Sequence, residues 1–314
     1  MKIWHKQSEK DELQRLDNRK RFPTSGSYLL VLPENPTAED LNFVQSKFNI
    51  HPISFQDYHY NSNPHVEDYG DYFFITCFIL DYSGISKRFG KIKVGLCFGE
   101  NFVLLLLNDK HQRIQTLFNN ETYISKIMEQ SSVYVVLKII NALFETYISA
   151  LSQFYPEIDE IEKKINQMNG NDSTLHEIIQ CRRLISFAYR TTLPHREVLS
   201  AISDYASLRE EDANLAKEVN YKLNNVMQTI SVYREMVVNS QDSYISLTTH
   251  KLYKIMRKIA LSIFLLAPFL LVSSIYGMSS RLSETESTLS FHVVLFVLLG
   301  ISLLTILFRK RFFK

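Results

Sequence analysis

The sequence predicts an α/β domain, a long α-helical stalk behind it, and two transmembrane helices at the C-terminal end. Three observations carry this. Short runs of β-branched, aromatic and aliphatic residues bounded by turn residues fill the chain up to about residue 125. From Val133 the apolar residues step by three and four without a break, the period of an amphipathic helix. The chain then closes on two apolar runs, residues 259–278 (IALSIFLLAPFLLVSSIYGM) and 289–308 (LSFHVVLFVLLGISLLTILF), neither of which contains Asp, Glu, Lys or Arg. Each is about 20 residues long, which at about 1.5 Å per residue gives about 30 Å, the thickness of a bilayer's hydrocarbon core.

In chain order, residues 28–32, 72–80, 91–98 and 102–107 read as strands, punctuated by Pro33, Gly70, Ser83-Gly84 and Gly99-Glu100-Asn101. The segment 98–102 reads as a hairpin turn. Thr37, with Asp40 at the capping-box position, predicts a short helix running to about Lys47. Helix and strand alternate, so a small sheet with helices on its faces is expected. A long helix follows from Val133, with Pro156 as a point of bending, and Asn169-Gly170-Asn171-Asp172 ends it. Thr174 with Glu177 is placed to start an antiparallel helix reaching about Leu199, broken near Pro194. A last helix begins near Glu210 and meets no Pro or Gly until Pro268, inside the first apolar run. That is one helix of about 65 residues and about 100 Å. A helix so long needs copies of itself for cover, so a ring of subunits is expected.

Charge placement sets the topology. Lys251, Lys254, Arg257 and Lys258 precede the first apolar run, and Arg309, Lys310, Arg311 and Lys314 follow the second. Between the runs, Arg281 stands against Glu284 and Glu286. The positive-inside rule puts both chain ends in the cytoplasm and the loop outside. The division that follows is residues 1–130 as a cytoplasmic α/β domain, 131–258 as the long-helix stalk, 259–278 as a pore-lining transmembrane helix, 279–288 as an external loop, 289–308 as the second transmembrane helix and 309–314 as a basic cytoplasmic tail. Formal net charge is +2 over 314 residues, which gives no nucleic-acid signal. The first fifteen or so residues lack an apolar h-region, so no secretory signal is expected. Cys77, Cys97 and Cys181, odd in number and far apart, read as buried reduced thiols. The spacing of His51, His59 and His65 around Asp57 fits no standard zinc pattern.

Ser274-Ile275-Tyr276-Gly277-Met278 ends the first apolar run. A Tyr-Gly-Met triplet there, before a short loop and a second span ending in basic residues, resembles the CorA family of divalent-cation channels. His51-Pro52 followed by Asp57, Pro64, Val66-Glu67 and Asp71-Tyr72-Phe73 is similar to the family's pattern in its cytoplasmic domain. So are residues 193–198 (LPHREV), Tyr233-Arg234-Glu235-Met236 and Ile255-Met256-Arg257-Lys258. The resemblance implies a funnel-shaped homopentamer whose first membrane helices line the pore. It implies an outer selectivity ring at Tyr276, Gly277, Met278 and Ser279, a hydrophobic gate at Ile259, and an inner acidic ring at Asp242. It also implies regulatory metal binding by Asp57 and Glu218 from neighbouring subunits.

The chain departs from the family at its signature. Ser279 replaces the Asn of Gly-Met-Asn, Leu270 stands where the family often has Thr, and Tyr253 where it commonly has Asn. Mg²⁺ dehydrates reluctantly, so a filter for it holds the water shell with neutral oxygens. A Ser hydroxyl on its shorter stem makes a wider ring with less dipole than an Asn carbonyl. In the loop, Glu284 and Glu286 outnumber Arg281, which reads either as a field that concentrates cations at the mouth or as a solvated loop with no role in conduction. The acidic run Glu157, Asp159, Glu160 and Glu162 reads as a solvated helix face or as an attractor of cations toward the inner vestibule.

No Walker loop, GxSxG, HExxH or catalytic carboxylate pair occurs, so no enzyme and no cofactor are expected. Mg²⁺ enters as transported and regulatory ion only. A divalent ion gains about 4.6 kcal/mol per 100 mV of inside-negative potential, twice the roughly 2.3 for a single charge, so passive flux suffices. The expected function is a channel for divalent cations, Mg²⁺ foremost, gated by cytoplasmic metal, in a prokaryotic plasma membrane, with the lipid bilayer and its own copies as partners. Two alternatives stay open: a transporter of altered selectivity for Co²⁺, Ni²⁺, Zn²⁺ or Mn²⁺, and a non-conducting membrane-anchored scaffold or metal sensor.

Overall fold

A computed structural model describes residues 2–7, 13–16, 23, 25–60, 63–107, 118–167, 172–204, 209–278, 296 and 300. Met1–Gln241 forms one compact unit and Asp242–Lys314 a second. The first unit is built on a seven-stranded sheet in the order β2-β1-β3-β7-β6-β5-β4. The strands are β1 (Lys2–Lys6), β2 (Gln14–Arg15), β3 (Ser27–Pro33), β4 (His65–Asp68), β5 (Tyr72–Ser83), β6 (Arg88–Gly99) and β7 (Phe102–Leu107). All neighbours are antiparallel except β3 and β7, which run parallel in the register Tyr28↔Phe102 to Pro33↔Leu107.

The expected strands are present as β3, β5, β6 and β7, and 98–102 is the hairpin turn between β6 and β7. Three strands were not anticipated. β1, KIWHK, and β4, HVED, alternate no apolar face of their own and are strands because β3 and β5 pair with them. β2 is a two-residue pairing with β1.

Two layers of helix cover the sheet. On one face α1 (Ala38–Phe48) and α2 (Pro52–Tyr60) bring Val44, Phe55 and Tyr58 onto Leu30, Phe74, Cys97 and Leu104. Full burial of each such side chain is worth about 1.5–3 kcal/mol. Thr37 caps α1 as expected: its Oγ1 accepts from the Asp40 N–H at 3.2 Å and the Asp40 carboxylate accepts from the Thr37 N–H at 3.3 Å. Asn49, at φ 53°, closes the helix in the left-handed region. α2 was not expected. His51 starts it, its Nδ1 accepting from the Ile53 N–H at 3.2 Å, and Lys93 ends it, donating to the Tyr58 carbonyl at 2.6 Å. Gly95 makes room for the Tyr58 ring: a Cβ at that position would lie 3.0 Å from Tyr58 Cε2 and 2.9 Å from Leu106 Cδ1.

The other face carries α4 (Ser132–Asn166), preceded by the short α3 (Glu121–Ile127). Among the described residues α4 is long and apolar enough to cross a membrane. Its Val136, Leu137, Ile140, Leu143, Phe144 and Tyr147 are instead fully buried in the unit. The helix is continuous through Pro156. α5 (Asp172–Thr192) and α6 (His195–Ser203) follow, divided at Leu193-Pro194. The start of α5 differs from expectation: it begins at Asp172, so Thr174 lies within the first turn and is buried. The Glu177 carboxylate accepts from Lys164 at 2.8 and 3.0 Å, tying α5 back to α4.

α7 (Glu210–Met278) is one helix of 69 residues, as the unbroken sequence predicts. In the first unit its Leu215, Val219, Leu223, Val226, Ile230 and Val237 are buried. Its N-terminus is joined to that of α4. Ser131, the N-cap of α4, accepts from the Tyr134 N–H at 2.9 Å and donates to Asp212 Oδ1 at 2.7 Å. Asp212 Oδ2 accepts from the Arg209 N–H at 3.3 Å. Asp212 is only 1% exposed, so both of these partners satisfy a carboxylate that would be costly to bury alone.

Candidate functional site

The sequence-predicted site residues fall on two helices of the described structure. Asp242, Tyr253, Ile259 and Leu270 follow one another along α7 in the second unit, all exposed. Ile259 and Leu270 are three turns apart, about 16 Å along the axis, and so share a helix face. Asp242 precedes Ile259 by about 25 Å. Between them Lys251, Lys254, Arg257 and Lys258 make an exposed cationic collar. Beyond the collar the exposed surface turns apolar: Ile263, Phe264, Leu266, Leu270 and Leu271 are each about 60–70% exposed in a single chain. Exposed apolar surface on this scale marks contact with lipid or with other chains. Tyr276, Gly277 and Met278 form the last helical residues of α7. Ser279, Glu284 and Glu286 lie outside the described residues, as does the second apolar run apart from Phe296 and Gly300.

The two expected regulatory carboxylates stand on separate elements. Asp57 is on α2, between buried Phe55 and Tyr58, and its side chain lies outside the description. Glu218 is exposed on α7 beside buried Val219. The α2 platform is fixed by Tyr72, whose hydroxyl accepts from the His51 N–H and hydrogen-bonds Ser54 Oγ, both at 2.9 Å. His51 is used as a cap. His65 lies 3.3 Å from Glu67 through Nε2, with Nδ1 3.1 Å from the Asn63 carbonyl. Among the described residues no three His, Cys, Asp or Glu side chains are grouped to hold a metal.

The acidic run on α4 is matched by lysines. Glu157 pairs with Lys87 at 2.6 Å, Asp159 with Lys163 at 2.6 Å and Glu160 with Lys164 at 3.0 Å. The hydrogen bond from Lys164 holds the Glu160 carboxyl below its ordinary value, and the one to Glu157 holds the Lys87 ammonium above its own. The three cysteines are free and buried. Burial pushes the Cys77 and Cys181 thiols up to about 12 and the Cys97 thiol well above its ordinary range, so none is a thiolate at neutral pH.

Sequence reasoning passed over a buried polar centre. The β4–β5 ladder ends at His65↔Thr76. Further along β5, Phe78 points both backbone groups at the vacated edge. Its N–H is taken by His195 Nε2 at 3.2 Å and its carbonyl by the Tyr147 hydroxyl at 2.9 Å. His195 Nδ1 donates to the Thr192 carbonyl at 3.2 Å, which fixes the neutral tautomer. Burial lowers the His195 imidazole to about 4. The ring lies edge-on to Phe144 and Tyr147 at 5.6 and 5.8 Å. This centre locks α4, α6 and β5 together. The sequence signal available was a His within LPHREV, where the resemblance supplied a segment without one.

Together these features define an α/β domain joined to a single long helix that carries an acid, a cationic collar and then an exposed apolar surface. Comparison with known proteins is consistent with that form. The model of the CorA-like Mg²⁺ transporter protein family matches residues 31–311. The cobalt/magnesium transport protein CorA of Thermotoga maritima is 24% identical over 271 residues, 84% of this chain and 76% of that protein. The complete structure of the CorA magnesium transporter from Methanocaldococcus jannaschii superposes with a TM-score of 0.80 at 19% identity, covering 99% of this chain and 98% of that one. The full-length CmaX protein superposes with a TM-score of 0.73 at 13% identity, covering 96% of each chain. The chain belongs to the CorA-like Mg²⁺ transporter family.

Proposed function

We propose that this chain assembles into a homopentamer in a prokaryotic plasma membrane and conducts divalent cations, Mg²⁺ foremost, passively into the cell. The family match over residues 31–311 carries the proposal. Residues 259–278 and 289–308 span the bilayer with both chain ends cytoplasmic, and the first span lines the pore. Tyr276, Gly277, Met278 and Ser279 form the outer selectivity ring, with Glu284 and Glu286 drawing cations to it. Ile259 is the hydrophobic gate, Leu270 lines the path above it, and Asp242 forms the inner acidic ring. Their spacing of about three turns puts Ile259 and Leu270 on one face of α7, which is compatible with both facing a shared axis. Asp57 and Glu218 of adjacent subunits bind cytoplasmic Mg²⁺ and hold the channel closed, a pairing suited to a hard cation that keeps several waters.

Ser279 favours one variant of this function, altered selectivity among Mg²⁺, Co²⁺, Ni²⁺, Zn²⁺ and Mn²⁺. The deciding experiment is ion uptake by purified protein in liposomes with an interior dye and an imposed inside-negative potential. Mg²⁺ entry above protein-free liposomes is expected. Entry of another ion in preference to Mg²⁺, shifted back by Ser279→Asn, establishes the variant. Silence for all five ions removes conduction and leaves a membrane-anchored scaffold or metal sensor.

A further inference from the structure

α5 and the part of α7 within the first unit line a cleft of about 300 Å³. Arg182 and Arg190 reach it from α5 and Arg234 from α7. All three are exposed, and among the described residues none has a carboxylate partner. Several lysines of the same unit behave differently: Lys87, Lys163, Lys164 and Lys222 each sit within 3.0 Å of a carboxylate oxygen. Residues 178–192 hold Arg182, Arg183 and Arg190 and no acid, and residues 226–241 hold Arg234 with Glu235 as their single acid. Like charges brought to one concavity repel, and a bound anion relieves that repulsion.

The residue types narrow the anion. Guanidinium forks match phosphoryl oxygens two at a time, which an ammonium does not. The rest of the cleft is amphipathic. Ile185 and Val237 are buried beneath it, Val238 edges it, and the half-buried Tyr189 ring lies along it. A cleft of this volume is at the small end of the roughly 300–1,000 Å³ range of small-molecule sites.

We propose that the α5–α7 cleft binds a phosphate-bearing small anion, its phosphoryl oxygens held by Arg182, Arg190 and Arg234. A nucleotide adds contact between its base and Tyr189 with the aliphatic floor. Inorganic phosphate or pyrophosphate uses the arginines alone.

The test is calorimetric titration of the full chain in detergent, with EDTA present and salt near 0.15 M, using inorganic phosphate, pyrophosphate, ADP and ATP separately. Saturable binding of at least one of these is expected. Arg182→Gln and Arg234→Gln should each weaken it at least tenfold, and Arg234→Lys severalfold. Arg183→Gln removes the same charge from the same helix outside the cleft and should leave binding within twofold of the parent. Thermal transitions matching the parent's show that each variant is folded. ADP or ATP binding more tightly than pyrophosphate assigns the site to nucleotides, and equal or weaker binding assigns it to the inorganic ions. Absence of saturable binding by all four probes overturns the proposal. So does an Arg183→Gln loss as large as that of the cleft variants, because the attraction would then be diffuse charge.

Discussion

His195 accepts the Phe78 N–H at 3.2 Å on the stretch of β5 that β4 does not reach. A side chain on a helix thereby does what a strand would do, and it does so only as the neutral imidazole. Protonation would place a second N–H against the Phe78 N–H in a fully buried site.

The sign of the resulting pH dependence is fixed. The folded value, about 4, lies below the ordinary 6.5. The unfolded chain therefore takes up the proton first as pH falls. Stability from this group is whole above about pH 6.5 and is lost progressively down to about pH 4. The shift corresponds to roughly 3 kcal/mol. The melting temperature of the detergent-solubilised chain should fall across this window, and the slope should flatten in His195→Gln. An unchanged slope in that variant would assign the loss to other groups.

Gly95→Ala should destabilise the first unit by about 1–3 kcal/mol, the usual cost of overpacking. The added methyl meets the Tyr58 ring and Leu106 at the spacings already given. In a double-mutant cycle followed by thermal denaturation, Gly95→Ala should cost less in a Tyr58→Leu background than in the parent, because the ring it meets is gone. An equal cost in both backgrounds would locate the strain at Leu106.

Asp212→Ala leaves Ser131 without its acceptor and the Arg209 N–H without its cap. The expected loss is about 1–2 kcal/mol. Hydrogen exchange should quicken at the first turns of both α4 and α7, since the one carboxylate serves both. Quickening confined to α7 would show that Ser131 holds α4 alone.

Cys77, Cys97 and Cys181 should resist a thiol reagent at pH 7 in the native protein and react together on unfolding, because burial both shields them and keeps them protonated. Rapid labelling of one thiol under native conditions would reveal local opening around it.

Regulation by Asp57 and Glu218 predicts a separable phenotype. In liposome uptake, Asp57→Asn or Glu218→Gln should raise the cytoplasmic-side Mg²⁺ needed to suppress flux by about tenfold, near 1.4 kcal/mol. Maximal flux should stay unchanged. Suppression identical to the parent's in both variants would remove these carboxylates from the regulatory role.

Much of this architecture was legible because local and global signals agree. The core strands β3, β5, β6 and β7 are dense in β-branched and aromatic residues with turn residues at their ends. Thr37 and Asp40 spell a capping box, and α7 contains nothing to stop it before Pro268. What escaped depends on partners distant in sequence. β1 is a strand through its ladder with β3, and the Tyr58 ring of α2 is seated where Gly95 leaves room for it. Glu177 looked like the second half of a helix start, yet Lys164, across the turn, claims it. The acidic run on α4 invited a role as a cation attractor; three of its four members are held by lysines, two of those lysines being on the same helix. The clustered arginines went unremarked because Arg182 and Arg234 are far apart in sequence and line one cleft only in the folded unit.

The parallel seam between β3 and β7 sets an order on the chain's birth. β1, β2 and β3 are made before β7 and lie in the order β2-β1-β3, with the β3 edge reserved for a strand still to come. At about 5–20 residues per second, that edge waits several seconds for Phe102–Leu107. Only when β7 arrives can the early β2-β1-β3 piece and the later β4–β5–β6 ladder become one sheet. Long-range pairings of this kind are slow to form, and an open edge is a site for mispairing with other nascent chains. The apolar stretch of α7 is made after all seven strands, so the nascent sheet has time to close before that surface appears.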